Sequence, residues 1–426
     1  MKELSEIDSR KIEEQANYCL NCKTKPCKNG CPLENDIPTF IKNIKEKEYK
    51  QAYATLRETT IMQSVCGRIC PHMSQCMGNC VRGIKSVPVQ IGTLEAFIGD
   101  KALQDNYEEE YIKKIKSNGK SVAIVGGGPA GLTCAAFLAQ DGFNVTIYEK
   151  HNNLGGILSH GIPEFRLDKE ALEGTIQKVL NLGVNVEYHK ELGINITLED
   201  LTQKYNAVFI AVGANIPYKM GVPGEELKGV YGGNTLLEKF DHPNYENKNV
   251  AVIGGGNVAM DCARTINKMG ANKVTVIYRR AEEQMPAEKK EIADAKNEGV
   301  EFLFQTNLVK IHGSNKVEQI ECVKTKLVPK EGEKRLVPVN IEDSNFKMEM
   351  DYVVMALGSS PEYKVVNKLG LELTESGYIK VDENYKTSME NVFAGGDIVG
   401  SKKTVAWAAR NGRDVAQKIF QLLGDV

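Results

Sequence analysis

Eight of the eleven cysteines in this 426-residue chain fall within its first 80 residues. They form two groups, Cys19-x2-Cys22-x4-Cys27-x3-Cys31-Pro32 and Cys66-x3-Cys70-Pro71-x4-Cys76-x3-Cys80. Thiols at this density serve metal centres, redox chemistry or disulfide frameworks. The chain opens MKELSEIDSRKIEEQ, without the apolar run that directs export, so a cytoplasmic location is expected and ligand or redox roles outrank disulfides. Neither group has zinc-finger spacing, and none of the six histidines completes a Cys/His ligand pattern.

The first group is similar to the bacterial ferredoxin run, which ends in Cys-Pro and lends its fourth cysteine to the other cluster, so Cys31 is expected to cross to the second centre. Three readings follow from spacing: two 4Fe-4S clusters, two structural zinc sites, or buried cysteines without metal. A flavin elsewhere in the chain favours the first, because clusters carry singly the electrons that a flavin receives in pairs.

Two glycine-rich loops point to that flavin and to a second nucleotide. Gly126, Gly128 and Gly131 stand in G-x-G-x-x-G spacing after the apolar run SVAIV. The first glycine permits the tight turn, the second lets the backbone approach a pyrophosphate, and the third lets helix and strand pack closely. Unpaired N–H groups at the helix start then face the phosphates. Glu149 ends the next apolar run, where a carboxylate holds ribose hydroxyls. The whole unit recurs 128 residues later, as NVAVIGGGNVAMDCARTINKMGANKVTVIYRR, with Gly254, Gly256 and Ala259 in the three positions. Here Arg279 and Arg280 replace the acid. Paired guanidiniums bind a 2′-phosphate that a carboxylate would repel, so this copy is expected to take NADP(H). Near the C-terminus, Gly395-Gly396-Asp397 ends another apolar run, and a long helix is expected from about Thr404. Asp397 suits a ribityl chain, and the helix N-terminus suits negative charge on a reduced flavin.

These residues need elements to hold them. From Ser121 onward, β-branched runs alternate with amphipathic segments, the grammar of parallel sheets with helical crossovers. Before that, Ile37, Phe40, Ile41 and Ile44 repeat at helical spacing. Gln104 to Lys120 reads as a polar connector or a helix ending in a turn. The fold class expected is α/β: two Rossmann-like dinucleotide-binding domains, for FAD and NADP, preceded by a helical iron–sulfur domain. With 54 basic and 56 acidic side chains the formal charge is −2, which gives no electrostatic reason to bind nucleic acid or an anionic membrane.

Together the FAD-type loop, GGILSHGIPEFRLDK, GGGNVAMDCAR with YRR, and the terminal GGD resemble the small (β) subunit of NADPH-dependent glutamate synthase. Relatives with the same module include the flavin subunit of NADH-dependent ferredoxin:NADP oxidoreductase and the N-terminal part of dihydropyrimidine dehydrogenase. The resemblance implies FAD in a domain split around an inserted NADP domain. Its boundaries would be 1–118 for the iron–sulfur domain, 119–215 and 358–426 for the FAD domain, and 216–357 for the NADP domain. It also implies FAD contacts from Gly126, Gly128, Gly131, Glu149, Gly156, Arg166, Gly213, Gly396, Asp397 and Thr404. NADP contacts would come from Gly254, Gly256, Asn257, Ala259, Arg279, Arg280 and Gly358. One cluster would use Cys19, Cys22, Cys27 and Cys80; the other would use Cys31, Cys70, Cys76 and Glu95, leaving Cys66 surplus.

The expected activity is oxidation of NADPH, with electrons passing through FAD and two 4Fe-4S clusters to a large catalytic subunit or a ferredoxin-like partner. Hydride transfer needs alignment rather than acid–base groups, so no catalytic triad is expected. Alternatives are the flavin subunit of a ferredoxin:NADP oxidoreductase, including a bifurcating one, and a zinc-stabilised nucleotide sensor. Cys134 and Cys262, on the helices after the two loops, read as packing residues. His160 reads as packing or a polar lining. Trp407 suits either packing or a cover over the flavin region.

Overall fold

The computed structural model describes residues 9–239, 241–333 and 335–424. Two compact units divide the chain, one running to Ala214 and resuming at Pro361, the other spanning Asn215–Ser360.

In the first unit the buried β-branched runs form a parallel sheet in the order Val392–Ala394, Ala207–Ile210, Ser121–Val125, Asn144–Tyr148, Asn185–Glu187. Every residue of Ala207–Ile210 and Val392–Ala394 is buried, as strands covered on both faces must be. Register matters more than order. Val125 pairs with Tyr148 and Ile210, and Ile210 pairs with Ala394. The four strands therefore finish level, and Gly126, Glu149, Ala211 and Gly395 leave the sheet along one edge. Ligands of open α/β sheets bind beyond this carboxyl edge.

The helical region before Ser121 belongs to the same unit. Ile37, Phe40, Ile41 and Ile44 line the buried face of helix Ile37–Lys45, each at most 1% exposed. Asp36 caps that helix through Thr39 N at 3.4 Å. The Gln104–Lys120 segment is less solvated than its polar sequence suggests. Glu108 within it is buried and pairs with buried Arg57 at 2.7 Å. Lys178, on helix Lys169–Leu180 beside the sheet, donates to Ile61 O at 2.8 Å and Gln63 Oε1 at 3.0 Å. These buried polar bonds fix the helical region against the sheet.

The second unit repeats the plan, with parallel order Val230–Gly232, Tyr352–Met355, Asn249–Ile253, Lys273–Tyr278, Glu301–Phe304. Ile253 pairs with Ile277 and Met355, so the second glycine loop also leaves a level carboxyl edge. The helix–strand alternation expected throughout this region breaks after Phe304. Thr306–His312, Gln319–Val328, Val337–Asn340 and Phe346–Glu349 form an antiparallel sheet instead. A cue lies in QIECVKTKLV, where Glu321, Lys324 and Lys326 interrupt the buried Ile320, Cys322, Val323 and Thr325, unlike the near-continuous apolar runs of the parallel strands.

Candidate functional site

At the first loop, Gly126 takes φ +105°, and a side chain there would strike Ala211 O at 2.5 Å. Only glycine makes that turn without strain. Gly128 stands at the N-cap of helix Pro129–Gln140, with open space where its side chain would be. That space is what a pyrophosphate approaching the helix N-terminus requires. Gly131 presses against Gly126 O, closing helix onto strand. Glu149, 4% exposed, accepts from Gly127 N at 2.8 Å and from His151 N at 2.9 Å. Each carboxylate oxygen keeps acceptor capacity of the kind ribose hydroxyls use, and the acid also shapes the loop.

Gly156, at φ +54°, approaches the loop with its would-be Cβ 3.1 Å from Gly128 Cα. Gly213 also adopts positive φ, just past the carboxyl edge. Arg166 is half-buried in the turn before helix Lys169–Leu180. Gly396, at φ +79°, donates to Asn411 Oδ1 at 3.0 Å, which presents Asp397 next to it. Asp397 Oδ1 is buried without a hydrogen-bond partner. Burial pushes its carboxyl up to about 6, against the pull of Lys403. A buried acceptor left open is costly, and a ribityl hydroxyl is a donor of the kind it lacks. Thr404 caps helix Val405–Leu423, accepting from Trp407 N at 3.4 Å. An open phosphate cradle, an acid behind it and an orphaned acceptor on the same sheet edge fit FAD.

The second loop has the same construction with different neighbours. Gly254 at φ +142° lies against Ala356 O, and Gly256 caps helix Asn257–Lys268. Ala259 is fully buried. Asn257 Oδ1 accepts from Glu288 N at 3.0 Å, bracing the 281–288 loop against the glycines. Arg279 is exposed, with its backbone carbonyl held by Thr325 Oγ1 at 2.8 Å. Arg280 Nε donates to Leu336 O at 3.2 Å. Gly358, at φ +115°, accepts from Tyr218 N at 3.0 Å. An exposed guanidinium at a strand end, beside an N-terminal cradle, fits a phosphorylated ribose.

The cysteines sort into two gatherings that cross the sequence groups. Cys19, Cys22, Cys27 and Cys80 line one pocket with Leu20, Val81 and Arg82. Burial pushes the Cys27 thiol up to about 11, and Cys19 and Cys80 push it further. Cys31, Cys70, Cys76 and Glu95 act electrostatically on one another in a second place. Burial there pushes Cys31 up to about 12, with Glu95 and Cys70 adding to it. Glu95, 5% exposed, is pushed up to about 8 by burial, against the single hydrogen bond donated by Asn35 Nδ2 at 3.2 Å. Cys66 shares these surroundings: it has a hydrogen bond with Cys70, and Glu95, Cys31 and Cys76 act on it as well. Thiols and a carboxyl that repel one another in burial need a cationic centre to hold them ionised. Among the described residues, no three His, Cys, Asp or Glu side chains are gathered tightly enough for one metal ion. A four-iron cluster spans a wider ligand set than a single tetrahedral zinc, and the donor sets fit clusters.

Several residues that build the second gathering carry no motif. Gly67, Gly92 and Gly99 let helices Gln63–Ile69 and Ile91–Gln104 touch backbone to backbone, which brings Glu95 near Cys66. The seven-residue step from Gly92 to Gly99 is the only sequence signal of that contact. Arg413, 6% exposed, donates to Leu33 O at 2.7 Å and Thr59 O at 3.3 Å, while Arg410 donates to Pro32 O at 3.0 Å. The chain just after Cys31 is thus fastened to the helix that starts at Thr404. Cys134, Cys262 and Cys322 are buried in the cores, and the described residues hold only free cysteines. His160 packs against His151, their rings tilted by 38° with centroids 4.4 Å apart. Trp407 lies under Lys402 and Arg410, at 4.7 and 5.4 Å.

Comparison with known proteins agrees with this construction. Residues 120–412 match the pyridine nucleotide-disulphide oxidoreductase family, and residues 2–107 match dihydropyrimidine dehydrogenase domain II, 4Fe-4S cluster. The glutamate synthase [NADPH] small chain of Escherichia coli strain K12 is 34% identical, over 96% of this chain and 91% of its own. The NADP(+)-dependent formate dehydrogenase subunit beta of Moorella thermoacetica is 37% identical, over 94% of this chain and 60% of its own. Mycobacterium tuberculosis FprA in complex with NADPH superposes with a TM-score of 0.63 at 20% identity, over 72% of this chain and 84% of its own, a likeness of fold. With loop, acid, basic pair and cysteine domain in one chain, the protein belongs to the glutamate synthase small-chain group of the pyridine nucleotide-disulphide oxidoreductase family, enzymes that use FAD, NADP(H) and 4Fe-4S clusters.

Proposed function

We propose that this chain is the electron-input subunit of an NADPH-dependent enzyme, passing electrons to a partner protein through two 4Fe-4S clusters. Bound FAD supplies the exchange between hydride chemistry and single-electron transfer. The residues do the holding. Gly126, Gly128 and Gly131 cradle the FAD pyrophosphate at a helix N-terminus, Glu149 takes the ribose, and Asp397 accepts from the ribityl chain. The N-terminus at Thr404 favours negative charge on the reduced ring. Gly254, Gly256, Asn257 and Ala259 shape the NADP(H) cradle, with Gly358 beside it. Arg279 and Arg280 select the 2′-phosphate. Cys31, Cys70, Cys76 and Glu95 would hold the cluster nearer the flavin, and Cys19, Cys22, Cys27 and Cys80 the outer one.

The observation that carries this reading is the packing of the second cysteine gathering. Cys66 and Cys70 share one hydrophobic cluster with Ala130 and Leu132, on the helix of the FAD-type loop, and with Ala406 and Ala409, on the helix capped by Thr404. Dry, tight packing between two redox sites is what electron transfer requires. Glutamate synthesis is the favoured use, from the small-chain relatives that align end to end. The formate dehydrogenase relative supports a second partner class. No helix of the described residues is long and apolar enough to cross a membrane, and a cytoplasmic location is part of the proposal. The test is steady-state dye reduction by the isolated chain. Reduction driven by NADPH in strong preference to NADH is expected, and equal rates with both would overturn the assignment of the basic pair. Anaerobic co-purification identifies the partner.

A further inference from the structure

We propose that the face around Cys19, Cys22 and Cys80 is the electron exit, and that it docks a partner whose own electron-accepting surface is acidic with an apolar centre. The inference rests on the electron-input reading and adds the exit and the partner's surface chemistry.

The first observation is an apolar patch that the fold leaves in solvent. Leu20, Val81, Ile84 and Val87 are 49, 38, 77 and 65% exposed. Tyr18 ties the segments that carry them together: its OH donates to Val87 O at 3.1 Å, and Arg82 Nε donates to Tyr18 O at 2.8 Å. Leu20 and Val81 also line the pocket that holds the cysteines. Scattered exposed apolar residues need no explanation, but four on the two segments that border a cysteine pocket do.

The second observation is charge. Between Gln15 and Leu33, and between Thr59 and Leu94, the chain carries six Lys or Arg and no Asp or Glu, in a protein of net charge −2. Lys25 pairs with Asp36 and Arg68 with Asp100. Lys23, Lys28, Arg82 and Lys85 meet no carboxylate among the described residues, and Lys23 and Lys85 are exposed. An apolar centre edged by basic side chains that no carboxylate neutralises steers and registers a partner of opposite charge. The sign selects an acidic protein and disfavours a basic one.

The experiment uses full-length holoprotein and two one-electron acceptors of opposite charge, acidic rubredoxin and basic cytochrome c. A small dye that takes electrons from the flavin is read in parallel, and iron per flavin checks that each variant is intact. Loss of NADPH-driven dye reduction in the unaltered protein would count against the electron-input reading itself. With that activity present, the double change Lys23→Glu with Lys85→Glu should lower kcat/KM for rubredoxin by about tenfold. It should raise kcat/KM for cytochrome c and leave dye reduction unchanged. Ile84→Ser with Val87→Ser should slow rubredoxin without reversing the charge preference. The proposal is overturned if charge reversal leaves both acceptors as before. It is equally overturned if sedimentation shows that this face joins two copies of the chain and Ile84→Glu separates them.

Discussion

Gly67→Ala is a one-methyl change whose effect follows from the packing. A Cβ on Gly67 would lie 2.5 Å from Gly92 O and 2.7 Å from Ala96 Cβ, with Ala96 N also in its way. Real Cβ contacts stay above 3.0 Å, and two of these three atoms are backbone, so no side-chain rotation relieves them. The helices must part by roughly half an ångström or more, at the cost of overpacking, about 1–3 kcal/mol. For a unit of this size, 2 kcal/mol corresponds to a melting midpoint lowered by roughly 4 to 8 °C. Glu95 rides on the displaced helix, so the second gathering should also loosen while the first, on other segments, stays intact. Thermal melting and iron per flavin read the two effects. The expected variant melts early and loses up to half its iron with its flavin retained. A variant that melts like the parent and keeps its iron would refute the argument that this backbone contact positions Glu95.

Other expectations are as direct. Glu95→Ala should change the spectrum and potential of one cluster, whereas Cys66→Ser should leave iron content unchanged; the reverse pattern in metal analysis would exchange their roles. Arg279→Ala with Arg280→Ala should raise KM for NADPH by roughly 10- to 100-fold, the loss of about 1.5–3 kcal/mol of charge-assisted bonding, with little change for NADH. Asp397→Asn should affect the flavin-free protein through pH. The carboxyl is raised from 3.8 to about 6, so the folded state binds the proton more tightly than the unfolded state does. Its cost is absent below the unfolded value and full above about 6. The variant should therefore be more stable than the parent by about 2–3 kcal/mol at pH 8, equally stable near pH 3, and weaker at retaining FAD, as melts at both pH values and flavin release would show.

What could be read from sequence was what is local. The glycine loops, Glu149, the basic pair and the cysteine spacing each sit within some thirty residues, and their physics is the geometry of one turn and one helix end. The antiparallel sheet after Phe304 was missed although QIECVKTKLV carries charges that a strand covered on both faces would not, because the doubled nucleotide unit favoured more parallel sheet. Glu95 was reached through family resemblance alone, since a lone Glu in IGTLEAF has no pattern. Arg410 and Arg413, 378 and 380 residues from the Pro32 and Leu33 carbonyls they hold, left no trace at all. Those bonds exist because the last helix returns to the start of the chain, a fact of topology.

The central claim is that the cysteine gatherings hold iron–sulfur clusters that serve a flavin in the same chain. Metal, sulfide and flavin analysis of the anaerobically purified full-length protein tests it most directly. The account predicts about eight iron and eight acid-labile sulfide per FAD. Stoichiometric zinc without sulfide, in a protein lacking flavin colour, would contradict it.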